Sequence, residues 1–304
     1  MSFNSTLKFN KVIASLFFMV IILAANNSFA QFYSGSQMTF GKNRIQYSKD
    51  RIWSYFRFNN FDTYYYKGGQ SLAIYASSYA DKQIRAIGKQ LDFVPDSKIK
   101  FMVFNDLSDL KETNIGLISD EEYNVGGVTH VIENKVFIYF NGEHEDFEQQ
   151  IKRGVAQVLL NEMMYGGSTG AKIKNSILLT FPSWYTDGLI SYMAENWSTE
   201  LDNKVRDGIR KGDYTKFDRL DKNNQRIASH SLWKFIEIKY GSKAISDIVY
   251  MAKVNRSIES GYLYVLGMSY QSVLAEWLAY YTNRYSRDFD IYSLPDDPIL
   301  KKNK

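Results

Sequence analysis

The chain has 304 residues, 37 Lys and Arg against 33 Asp and Glu, and no cysteine. Without Cys there is no disulfide, thiolate metal site, cysteine nucleophile or lipid-modified N-terminal cysteine. A formal net charge of +4 carried by scattered Lys and Arg argues against nucleic acid as a partner, and 45% hydrophobic residues with only four prolines leave room for a sizeable core.

In chain order, residues 1–30 read as a secretory signal. Lys8 and Lys11 form a basic start with no acidic residue nearby, Val12–Ala25 is a largely apolar run of 14 residues, and Ser28-Phe29-Ala30 offers small residues for cleavage before Gln31. That run is short for a membrane span. The expectation is an exported mature chain, 31–304, that sits in the periplasm or outer envelope and has no membrane span. Subtracting the two leader lysines from +4 leaves +2 on it.

Trp53–Phe58 and Thr63–Tyr66 are aromatic-rich strand candidates. Leu72–Leu91 repeats apolar residues at helical spacing, and Lys98–Phe104 passes from alternating charge to a continuous apolar run. Gly126–Ile132 and Lys135–Phe140 read as a hairpin turning at Glu133-Asn134. From Glu145 the period changes: Phe147, Ile151, Val155, Val158, Leu159 and Met163 make one stripe that ends at Gly166-Gly167. Further helices are predicted at Ile173–Leu179, Pro182–Asn196, Glu200–Lys211, Ala228–Tyr240, Lys243–Lys253 and Tyr270–Tyr285. Strands followed by helices predict an α+β fold with a sheet-rich half (31–144), a helical half (145–285) and a tail or linker (286–304).

Two segments carry a resemblance. Gln150-Ile-Lys-Arg-Gly-Val-Ala-Gln-Val-Leu-Leu160 stands after the hairpin, and Leu179-Thr-Phe-Pro-Ser-Trp-Tyr-Thr-Asp-Gly-Leu-Ile-Ser-Tyr192 follows it. Together with Ser229-His230-Ser231-Leu232, Leu266-Gly267 and Glu276-Trp-Leu-Ala-Tyr280, residues 60–282 resemble the gluzincin metallopeptidases of the peptidase MA superfamily. They resemble more closely the degenerate domains of that type found in large Bacteroidetes envelope proteins with a Tol-type β-propeller. The resemblance implies a thermolysin-like layout in which a His-Glu-x-x-His helix and a later Trp-x-x-Glu-Gly-Leu-x-x-Tyr helix hold zinc. The matching positions here are Arg153, Gly154, Gln157 and Asp187.

A permanent cation at Arg153 opposes a divalent ion, Gly154 offers no base, and an amide such as Gln157 is a poor zinc ligand beside imidazole. Zinc is therefore predicted absent, with no other cofactor and no catalytic residue. Arg153 and Asp187 either bridge the two helices or stand separately, with Arg153 in solvent and Asp187 at its helix start. His130, His144 and His230 have no ligand spacing. Trp184, Tyr185, Tyr192 and His230 are candidates to line a groove, although aromatics in such stripes are more often core, the favoured reading for Trp184 and Tyr192.

The leading expectation is a non-catalytic binding or scaffold module that holds an envelope protein, a peptide or cell-wall material. The alternatives are a hydrolase with a rearranged metal site on Asp187, Glu162 and a histidine, and a purely structural domain.

Overall fold

The computed structural model describes residues 52–113, 115, 131–166 and 181–291. The proposed leader, His130, the segment Ile173–Leu179 and the end of the chain lie outside them. By compactness the chain divides into two units, Trp53–Asn105 with His130–Lys304 and Met1–Ile52 with Asp106–Thr129. The described part of the second unit is chiefly the short helix α2, Leu107–Lys111, whose N-cap Asp106 accepts from the amide of Asp109.

The larger unit is α+β: a mixed five-stranded sheet followed by helices. β1 (Ser54–Arg57) and β2 (Phe61–Tyr65) form an antiparallel hairpin, and helix α1 (Gln70–Leu91) crosses over to β3 (Ile99–Phe104), which pairs parallel with β2. β4 (Val131–Ile132) and β5 (Lys135–Tyr139) form the second hairpin, giving the sheet order β1-β2-β3-β5-β4. The turn falls at Glu133-Asn134 as predicted, with Glu133 in the left-handed region at φ 56°. β3 sits between parallel neighbours, so Phe101, Met102, Val103 and Phe104 are buried on both faces. That accounts for its unbroken apolar run.

Helix α3 (His144–Tyr165) follows β5 and packs against β5 and α1. Gln150 ties its first half to the strand: its Oε1 accepts from the Tyr139 amide and its Nε2 donates to the Tyr139 carbonyl, both at 3.1 Å. The side chain thus takes the place of a neighbouring strand. Beyond Gly154, α3 is buried around most of its circumference, more than the single predicted stripe.

The remaining helices are α4 (Ser183–Ala194), α5 (Thr199–Lys211), α6 (Lys222–Tyr240), α7 (Ser242–Asn255), α8 (Ile258–Leu266) and α9 (Tyr270–Ile291), with a 3-10 helix at Asp213–Arg219. Three differences from the sequence reading have local causes. α6 begins six residues before Ala228, because Asp221 caps a polar first turn by accepting from the amides of Asn223 and Asn224. α8 carries Gly261 and four aromatic or β-branched residues, a weak helix on propensity. It forms because Ser257 caps it and Gly261 fits against the Ile248 carbonyl and Ala252 of α7. α9 continues past residue 285 into the segment assigned to the tail. No described helix is long and apolar enough to cross a membrane.

Two glycines set the spacing of the core. A Cβ at Gly154 would overlap Val136 Cγ1 of β5, so α3 rests on the sheet at a distance only glycine allows. A Cβ at Gly188 would overlap the Ser229 side chain, which donates to the Trp184 carbonyl and so joins α6 to α4. Gly154→Ala should therefore destabilise the protein by about 1–3 kcal/mol through overpacking. Val136→Ala in the same chain should recover part of that loss, read by denaturant unfolding.

Candidate functional site

The positions singled out in the sequence have different surroundings. Arg153 projects from α3, and its guanidinium lies 3.6 Å from Glu195 at the C-terminal end of α4. Asp187, expected as its possible partner, is exposed one turn into α4. The bridge between the two helices exists, but through Glu195. The reason is helical geometry: Glu195 lies eight residues beyond Asp187, about 12 Å along the axis. Gly154 faces the sheet, and Gln157 is half-buried. Glu162, a candidate ligand of the rearranged metal site, is instead buried and accepts from the amides of Asp96 at 2.7 Å and Ser97 at 3.0 Å.

The proposed groove-lining aromatics are core. Relative exposures are 5% for Trp184, 0% for Tyr185, 9% for Tyr192 and 1% for His230. α4 is enclosed on nearly every side, so its aromatic residues meet other rings: Trp184 stacks on Tyr270 at 5.3 Å, and Tyr185 meets Trp233 edge-on at 5.1 Å. Burial accordingly pushes the Tyr185 and Tyr192 hydroxyls well above the usual phenol range.

Helices α4 and α6 each present a polar pair at i, i+4 that sequence reasoning missed. Ser191 and Glu195 on one face Arg226 and His230 on the other. Arg226 Nη1 donates to both carboxylate oxygens of Glu195, at 2.7 and 2.9 Å, and to Ser191 Oγ at 2.9 Å. Ser191 Oγ lies 3.0 Å from His230 Nδ1. Which of the two donates follows the imidazole tautomer, since the hydroxyl can accept from both Arg226 and Nδ1–H or give its own proton to Nδ1. Desolvation lowers the His230 pKa to about 4, so the ring is neutral. Ser191 is fully enclosed and its oxygen is held by a guanidinium, which leaves no room at Oγ for a substrate, and among the described residues no carboxylate is hydrogen-bonded to His230 as a nucleophilic triad requires. Spacing alone, Ser-x-x-x-Glu and Arg-x-x-x-His, was the only trace of it in the sequence.

Glu195 and Arg226, the outer end of this network, form one wall of a groove of about 750 Å³. Its floor is the exposed face of α3, with Glu148, Lys152 and Arg153. Glu195 and Asn196 close one side, and α5 contributes Glu200 and Lys204. Of the eight residues expected to mark or line a site, only Arg153 borders it. A second, apolar cavity of about 540 Å³ lies between the β1–β2 hairpin and α1, beside Phe56, Phe58 and Ile74.

Among the described residues, no three His, Asp or Glu side chains are grouped as metal ligands. At Arg153 the donor set does not suit zinc: a guanidinium faces the groove, and the neighbouring carboxylate is already held by two arginines. No protein-family model matches the sequence, and no curated protein matches it.

Two outcomes test this geometry. A double-mutant cycle on Glu195 and Arg226 should give a coupling of about 1 kcal/mol or more, whereas the cycle on Arg153 and Asp187 should give almost none. His230 gains a proton more readily unfolded (6.5) than folded (about 4), so its contribution is complete above pH 6.5 and lost as pH falls towards 4. The difference in stability between the wild type and His230→Asn should therefore shrink over that window, as read by chemical denaturation at each pH.

Proposed function

We propose that the protein is a non-catalytic module of the bacterial cell envelope, a metallopeptidase-like domain that keeps a cleft for binding and has given up the chemistry. The observation that carries this reading is the pseudo-site itself. Where the resembling peptidases place a zinc-binding imidazole and a general base, this chain has Arg153 in an ion-pair network with Glu195 and Arg226, and Gly154 pressed against Val136. The chemistry needs a Lewis acid and a base beside the scissile carbonyl. A cation without lone pairs and a residue without a side chain supply neither. The groove beside them is open, polar and large enough for several residues of a peptide or similar ligand.

An exported location supports the same reading, since the leader carries the charge and apolar pattern of a secretory signal. The ligand in this view is an envelope protein, a peptide or cell-wall material.

The purified protein should carry no stoichiometric zinc by elemental analysis and show no chelator-sensitive peptidase activity. One zinc per chain together with such activity would overturn the reading. Rebuilding the motif by Arg153→His, Gly154→Glu and Gln157→His should lower the melting temperature rather than create an enzyme, because the side chain at 154 meets the sheet.

A further inference from the structure

The charges of the groove are unevenly satisfied. Glu200 is paired with Lys204 at 2.5 Å, and Glu148 accepts from the Tyr75 hydroxyl. At the centre, Glu195 is the carboxylate shared by Arg153 at 3.6 Å and Arg226 at 2.7 Å. Lys152, beside Arg153 on α3, reaches only the neutral Asn196 Oδ1, at 3.4 Å, and no carboxylate among the described residues lies within ion-pairing distance of it. Its surroundings nonetheless desolvate the ammonium and lower its pKa. Lys152 at Asn196 and the two arginines at Glu195 thus stand at adjoining residues of the groove. Of the other acids of the groove, Glu148 lies one turn from Lys152 on α3 and accepts from Tyr75, Glu200 is held by Lys204, and Glu145 lies about 10 Å along α3 from Lys152.

A partly desolvated ammonium without a counter-ion is unfavourable unless a ligand supplies one. Two guanidiniums already arranged around a carboxylate show that the local geometry suits that group. We propose that the centre of the groove, at Lys152, Arg153 and Arg226, binds the carboxylate of an acidic peptide segment. This rests on the reading of the cleft as a binding site and adds the chemistry of its occupant. The carboxylate would take Lys152 as its primary partner and Arg153 as its second. Arg226 remains clamped to Glu195 and supplies background charge. The amide of Asn196 stands beside the same anion as a neutral donor.

The test is calorimetric titration of the purified full-length protein with three probes: a short peptide of Asp and Glu with a free C-terminus, its Asn and Gln counterpart with an amidated end, and inorganic phosphate. The acidic peptide should bind saturably at one site and more weakly as salt rises. Lys152→Gln should weaken it by about tenfold or more. Lys89→Gln, an exposed cation on α1 outside the groove, should leave it unchanged. Both variants are surface changes whose folding is checked by their melting temperatures. Equal binding of the neutral peptide, insensitivity to Lys152→Gln, or no saturable binding would overturn the proposal. Phosphate binding as tight as the peptide, with the same Lys152 dependence, would overturn the peptide as the source of the anion. A failure here with no zinc and no peptidase activity leaves the non-catalytic reading standing, so the two conclusions fail separately.

Discussion

The arrangement of this protein depends on how closely helix α3 lies on its sheet. With Gly154 against Val136, the helix is nearer to β5 than any side chain at that position would permit. That height fixes the rotation of α3 about its axis. Phe147, Ile151, Val155 and Leu159 enter the core, while Lys152 and Arg153 emerge into the groove. Gln150 fastens the same helix to the end of β5 through both groups of its carboxamide, so position and rotation are held together. A residue in the sequence that reads as a missing catalytic base is, in the fold, a packing requirement.

A second close approach governs the helical half. Gly188 allows α6 to approach α4 until the Ser229 hydroxyl reaches the Trp184 carbonyl. At that distance, side chains one turn apart on each helix meet in register: Ser191 with His230, and Glu195 with Arg226. The buried end of this ladder is neutral, because desolvation keeps His230 unprotonated. The end that reaches the groove is ionic, because Glu195 and Arg226 retain some solvent at 16% and 23% side-chain exposure. Polarity therefore increases from the core outward along a single pair of helices. Arg153 joins the ladder at its wet end and ties α3 to it.

The same physics separates structural from binding roles among the aromatic residues. Trp184, Tyr185, Tyr192 and Trp233 sit where helices converge, and their rings fill the space between them. The groove has few rings; Tyr79 is the aromatic residue on its lining. Its lining is charged and hydrogen-bonding more than aromatic, in contrast to the ring-filled core beside it.

The sequence by itself determined the order and type of most elements, because periods of two and of 3.6 are written directly in the spacing of apolar residues. It located β3 from its continuous apolar run, the Glu133-Asn134 turn, and the long helix opening near Glu145. The expectation that Arg153 and Gly154 do not suit a zinc site came from side-chain chemistry alone. Only the tertiary structure decided which carboxylate Arg153 meets. Asp187 and Glu195 belong to the same helix, and the choice between them depends on where α3 crosses it. It also made α8 a helix, because the contact of Gly261 with α7 outweighs a weak local propensity. And it settled the aromatic candidates as core, the reading already favoured for Trp184 and Tyr192, because burial of a helix on nearly every side is a property of its neighbours, which the helix's own residues do not encode.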